Sequence, residues 1–147
     1  MPSLYPTLNL PQLVKPQSIK PSRLDKVAPY FDFTTGEFLF DGAGRIIMAD
    51  EYETFEQWCL KVCMTERYSY LAYSDKIGVE LDDATREPNI EAVQSAIIRT
   101  ITEAIMVHPA AEYVKNFAFE IEGDNVWVSF DVKAREWSED RRLALYL

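Results

Sequence analysis

Six of the chain's eight prolines lie in its first 29 residues. This placement is the strongest constraint on folding. Proline removes a backbone donor and biases the residue before it away from helix. Residues 1–29 therefore read as an extended arm on a polyproline-type or irregular path. Pro6, Pro11, Pro16 and Pro21 fall five residues apart. The arm is also basic. Lys15, Lys20, Arg23 and Lys26 against Asp25 give it +3, which leaves −12 on residues 30–147 of a chain whose total is −9. It is not a plain linker, because Leu4, Tyr5, Leu8, Leu10, Leu13, Val14 and Ile19 are interleaved with the prolines. That much apolar surface favours an arm lying on a partner over one packed on its own body or left disordered.

The remainder is an acidic body. With 147 residues in all and 48% of them hydrophobic, the chain allows one domain with a core that needs no metal or disulfide. Such a body is a poor match for a phosphate backbone, so no nucleic-acid partner is expected. No apolar run reaches the ~20 residues that span a membrane. The N-terminus lacks the charged start and continuous apolar stretch of a signal peptide. Two cysteines in that context suggest a reducing compartment and free thiols.

Local patterns order the body. Phe31 and Phe33 alternate with Asp32, and after Thr34-Thr35-Gly36 comes Glu37-Phe38-Leu39-Phe40, which predicts a hairpin. Asp41-Gly42-Ala43-Gly44 makes a second turn before a third strand, Arg45 to Met48. Asp50 with Glu53 is a capping-box pattern, and Tyr52, Phe55, Cys59, Val62 and Cys63 continue it as a helix to about Met64. Residues 65–81 read as a loop with one short extended piece. A second helix starts near Pro88 or Asn89, carries the stripe Ile90, Val93, Ile97, Ile101, Ala104 and Ile105, and ends at Pro109. Ala110 to Val114 is expected as a further turn of helix. Phe117 to Ile121 and Val126 to Val132 alternate about Gly123-Asp124-Asn125, a hairpin with one buried face. The end, Arg141 to Leu147, suits an exposed strand or a helical tail. The order predicts an α+β fold: a mainly antiparallel sheet with two main helices packed on one face, and an extended N-terminal arm. The expected division is arm 1–29, body 30–133 and C-terminal tail or augmenting strand 134–147.

Catalytic constellations are weak. Cys59 and Cys63 share a helix face, but structural zinc needs four ligands and the single histidine, His108, is far away in sequence. Two small apolar side chains at a helix–sheet interface is the better reading. His108, before Pro109, suits a capping or surface role. Gly42-Ala43-Gly44 lies between strands, so it lacks the strand-to-helix setting of a phosphate cradle. The carboxylates from Asp50 to Glu56 and from Glu80 to Glu87 read as solvated acidic faces rather than a glycosidase pair. No catalytic residue, cofactor or metal is therefore expected. Arg67, ahead of Tyr68, Tyr70 and Tyr73, has the residue types of an interface hot spot, or equally of an Arg packed on a neighbouring Tyr.

An ordered series of residues is shared with a known family. It runs through Asp32-Phe33-Thr34-Thr35-Gly36-Glu37-Phe38, Asp41-Gly42, Phe55-Glu56-Gln57-Trp58 and Thr65-Glu66-Arg67. It continues through Tyr73-Ser74, Gly78-Val79-Glu80-Leu81, the helix ending at Pro109, Val114 and Phe117-Ala118-Phe119. Over about residues 31–132 the chain resembles the baseplate wedge or sheath-initiator proteins of contractile tails, found in phages, prophage-like elements and bacteriocins and once labelled lysozyme-like. The resemblance implies a small α+β domain, present in six copies around the tail axis. It implies partners among sheath, wedge and tail tube or hub proteins, with assembly in the bacterial cytoplasm before incorporation into the particle. Of a Glu-Pro-Arg motif common after the long helix in that family, Val107-His108-Pro109-Ala110 keeps only the proline.

These strands of argument predict a structural assembly protein rather than an enzyme. It would join wedge or hub proteins to the tube–sheath junction and template the first sheath ring by strand augmentation. The alternative is a small adaptor that binds a soluble partner through its arm. The candidate partner-binding residues are Leu4, Tyr5, Leu8, Leu10, Lys15 and Lys20 on the arm, Arg67, Tyr70 and Tyr73 in the loop, and Arg141, Leu143 and Leu145 at the end.

Overall fold

The computed structural model describes residues 27–147; the expected contacts at Leu4, Tyr5, Leu8, Leu10, Lys15 and Lys20 lie outside the described residues. The body is α+β. A two-stranded hairpin, β1 (Phe31–Asp32) and β2 (Glu37–Phe38), precedes helix α1 (Glu51–Cys63). Then come a short helix α2 (Leu81–Ala84), the long helix α3 (Ile90–Met106), and strands β3 (Ala111–Glu122), β4 (Asn125–Ala134) and β5 (Arg141–Tyr146). The last three form an antiparallel sheet in the order β3-β4-β5.

Both main helices start where side chains satisfy their free N–H groups. The Asp50 carboxylate accepts from the Glu53 N–H at 2.7 Å, and the Glu53 carboxylate accepts from the Asp50 N–H at 2.9 Å. This closes the capping box on both sides. Asn89 caps α3 by accepting from the Ala92 N–H at 2.8 Å. The buried positions then repeat at one spacing: Phe55, Cys59, Val62 and Cys63 on α1, and Ile97, Ile101, Ala104 and Ile105 on α3. A residue and those four, seven and eight places on share a helix face, so each helix turns one stripe inward.

The sheet supplies the opposing surface. Val128, Phe130, Val132 and Ala134 on β4, with Leu143 and Leu145 on β5, are buried against those stripes. Phe117 stacks on Phe130 with ring centroids 5.3 Å apart. Full burial of side chains of this size contributes about 1.5–3 kcal/mol each. The intervening β4 residues Trp127, Ser129, Asp131 and Lys133 take the other face, as a period of two requires.

Two expectations change. Ala110 to Val114 is not a turn of helix: β3 begins at Ala111, which pairs with Ala134, while Val114 pairs with Val132. Alanine favours helix locally, but Ala110 and Ala111 are buried against the sheet and the ladder wins. The expected third strand, Arg45 to Met48, is reduced to two isolated bridges, Phe40 to Ile46 and Pro29 to Met48. The stretch 65–80 is a loop, as expected, with one isolated bridge from Glu66 to Val79, and it leads into α2, a single turn with no side-chain cap. The open question at the C-terminus resolves to a strand, β5.

Candidate interaction surfaces

The loop after α1 is closed by a backbone clasp. The Val79 N–H donates to the Thr65 carbonyl at 2.9 Å, and the Arg67 N–H donates to the Val79 carbonyl at 2.8 Å. Gly78 sits in the clasp at φ +104°, where a Cβ would meet the Thr65 oxygen at 2.6 Å. Only glycine combines that dihedral with so close an approach. Arg67 locks the same point from its side chain. Its Nε and Nη2 donate to the Gly78 carbonyl at 3.2 and 3.1 Å, and its Nη1 meets Glu80 Oε1 at 3.1 Å. With its side chain 13% exposed, Arg67 faces inward and holds the loop base. The tyrosines face outward instead. Tyr70 and Tyr73 meet edge to face at 5.7 Å, and Leu71 between them is fully exposed.

On the solvent face of the sheet a polar network fixes a β-bulge. The β3–β4 register shifts between Lys115 and Ala118, and Asn116 takes φ +55° there. Asn116 Nδ2 donates to Asp131 Oδ2 at 2.8 Å. Arg142 donates to the Asn116 carbonyl at 2.9 Å, to Asp131 Oδ1 at 3.0 Å and to Ser129 Oγ at 2.8 Å. The hydrogen bond from Asn116, then the one from Arg142, holds the Asp131 carboxyl below its ordinary range. Further along, Lys115 bridges to Asp140 at 3.0 Å and lowers that carboxyl too.

Strand β5 places the three C-terminal candidates differently. Leu143 and Leu145 are core residues, so this strand presents its backbone edge rather than those side chains at the surface. Arg141 reaches back to α1, pairing with Glu56 at 3.1 Å and lying near the rings of Tyr52 and Trp137. The register shows which backbone groups stay free. Val126 and Leu147 exchange both hydrogen bonds, and antiparallel ladders alternate. The other exchanging pairs are therefore Val128 with Leu145, Phe130 with Leu143 and Val132 with Arg141. It follows that Arg142, Ala144 and Tyr146 aim their N–H and C=O groups at the outer edge. Among the described residues, no strand pairs with that edge.

The N-terminal side is apolar and open. Phe38, Leu39, Phe40, Ile46, Ile47 and Met48 are all exposed. Between the β1–β2 hairpin and α1 lies a groove of about 580 Å³, walled by Phe31, Phe33, Phe38, Phe55 and Trp58 with His108 at one side. The chain crosses α1 at this groove. The Ala28 N–H donates to Thr54 Oγ1 at 3.3 Å, and the Phe31 N–H donates to Gln57 Oε1. His108 Nδ1 accepts from the Ala110 N–H at 3.1 Å, which fits its expected capping role, and its ring packs edge-on against Trp58 at 4.5 Å.

The thiols do not form a site. Cys59 and Cys63 are free and buried, and burial raises Cys59 well above the usual thiol range and Cys63 to about 12. Thiols so raised are poor nucleophiles at neutral pH. Among the described residues, no group of three or more His, Cys, Asp or Glu side chains is placed to hold a metal ion. No helix among them is long and apolar enough to cross a membrane.

Comparison with known proteins agrees with the resemblance in the sequence. The model of a family described as contractile injection system sheath initiator matches residues 29–136, from the foot of the arm to just past β4. Over 86 residues the chain is 35% identical to the phage-like element PBSX protein XkdS of Bacillus subtilis (strain 168). That alignment covers 57% of this chain and 61% of the relative, so the match spans about three-fifths of the relative's length.

Proposed function

The chain belongs to the contractile injection system sheath initiator family, and we propose that it is a non-catalytic baseplate component that templates the first sheath ring by receiving a strand at the outer edge of β5. The observation that carries this reading is the edge itself. It is six residues long, its inner side is fully paired, and Arg142, Ala144 and Tyr146 offer alternating donors and acceptors outward. A strand added there gains main-chain hydrogen bonds without any change in the body. The support beneath is stiff, because Leu143 and Leu145 anchor β5 in the core and Arg142 ties its solvent face to β3 and β4.

In this reading six copies surround the tail axis, the arm meets wedge or hub proteins, and the loop carrying Tyr70, Leu71 and Tyr73 adds a lateral contact. Assembly takes place in the bacterial cytoplasm and the protein then stays in the particle's baseplate. Ala144→Pro tests the edge. Proline there deletes an outward N–H and leaves the inward ladder intact. The variant is expected to fold with the stability of the parent and to lose sheath assembly in reconstituted particles. Normal sheath assembly on Ala144→Pro baseplates would overturn the proposal.

A further inference from the structure

We propose that the strand received at β5 brings a large apolar side chain, aromatic by preference, to the position level with Tyr146. There it extends the Trp127–Tyr146 ring pair and selects the occupant of the edge. This rests on the strand-addition reading of β5. A backbone edge supplies hydrogen bonds to any extended segment, so it attracts strands without choosing among them. The choice comes from side chains, and few positions along β5 can make it.

Elimination along the strand leaves Tyr146. Leu143 and Leu145 point into the core and are buried there, so they offer an incoming side chain no open apolar surface. Arg141 is held by Glu56 at 3.1 Å. On the solvent face Arg142 already donates to the Asn116 carbonyl, to Asp131 and to Ser129. Ala144 has only a methyl group to present. Tyr146 differs from all of these. It is 53% exposed, and its ring meets that of Trp127, itself 40% exposed, edge to face with centroids 5.0 Å apart.

The register puts this pair where an added strand continues it. Trp127 and Tyr146 are cross-strand partners, and Tyr146 aims its N–H and C=O groups at the outer edge. A residue level with Tyr146 on an added strand projects to the same face whichever way that strand runs, because neighbouring strands share one pleat. Its Cβ would lie about 4.5–5.5 Å from that of Tyr146. A large apolar side chain there covers the exposed part of the Tyr146 ring. Ala144, next along the same face, leaves room for it. Aromatic neighbours gain more than the area they cover, because ring faces and edges carry opposite partial charge.

Reconstituted particles test this, with the sheath concentration at half-maximal assembly as the readout. Tyr146→Thr keeps the backbone edge and a strand-favouring residue but removes the ring. It should fold as the parent does and require roughly tenfold more sheath protein. Tyr146→Phe should assemble like the parent, since the ring and not the hydroxyl makes the contact. The Tyr146→Thr deficit should be equal at low and high salt; a deficit that vanishes at high salt assigns a cationic side chain to the position and overturns the apolar one. Without any substitution, Trp127 and Tyr146 should become protected from hydroxyl-radical oxidation when sheath joins the baseplate. Normal assembly on Tyr146→Thr baseplates, an equal loss in Tyr146→Phe, or unchanged oxidation of both rings overturns the proposal. Ala144→Pro separates it from the reading beneath. If Ala144→Pro blocks assembly and Tyr146→Thr does not, strand addition stands and the side-chain choice falls; if Ala144→Pro assembles normally, both fall.

Discussion

The two ends of the body handle apolar side chains in opposite ways. In the C-terminal sheet, alternation along β4 and β5 sends Val128, Phe130, Val132, Leu143 and Leu145 into the core and Ser129, Asp131 and Arg142 outward. In the N-terminal hairpin region Phe38, Leu39, Phe40, Ile46, Ile47 and Met48 stay exposed, held by two-residue strands and isolated bridges. A sheet satisfied by its own helices needs only its backbone edge for a partner. A hairpin with uncovered side chains presents apolar surface instead. The difference separates two kinds of surface in one small body: a backbone edge at β5 that no described strand pairs with, and uncovered apolar side chains beside α1.

Paired substitutions measure how deep this contrast goes. Phe130 is fully buried, and Phe130→Ala should cost about 3–5 kcal/mol by denaturant unfolding. Phe40 is 58% exposed, and Phe40→Ala should change stability by less than about 0.5 kcal/mol. Equal costs would break the comparison. An intermediate effect belongs to the clasp between the two regions. Gly78→Ala forces a side chain into the left-handed region and against the Thr65 carbonyl. It should lower stability by roughly 1–3 kcal/mol and expose the Arg67 and Val79 amides to hydrogen exchange.

The smallest effect lies at the ion pair that joins the regions, Glu56 of α1 with Arg141 of β5. Burial raises the Glu56 carboxyl above its ordinary value, and Arg141 partly offsets this. The folded state therefore holds that proton more tightly than the unfolded chain. The Glu56 contribution to stability is greatest at low pH and declines as pH rises through the raised value. Asp131 has the opposite sign: its carboxyl is lowered, so its contribution is present at neutral pH and is lost as pH falls through the lowered value. Arg141→Ala should move Glu56 further upward in an NMR titration, and an unchanged Glu56 would show that the pair does not couple the regions.

The same division explains what could be read from the residues alone. Alternation around Gly123-Asp124-Asn125 revealed the β3–β4 hairpin because a half-buried strand writes its burial into its sequence. Asp50 with Glu53 marked the start of α1 for an equally local reason. The start of β3 was hidden, since Ala110 and Ala111 favour helix until the pairing of Ala111 with Ala134 is known. Arg67 looked as much like a contact residue as a packed one, because its inward turn depends on Gly78 and Glu80, more than ten residues away. Leu143 and Leu145 marked an important strand, but their spacing does not say which face is core. The groove was not legible at all, because three separate segments build its walls.

The most direct measurement is amide hydrogen exchange at Arg142, Ala144 and Tyr146, first in the free protein and then in assembled particles. Their N–H groups point away from β4 and should exchange rapidly in the free chain, while those of Leu143 and Leu145 stay protected. In the presence of sheath, strand addition predicts that the outward set becomes as protected as the inward set. Outward amides that exchange equally fast in particles and in the free protein would contradict the account.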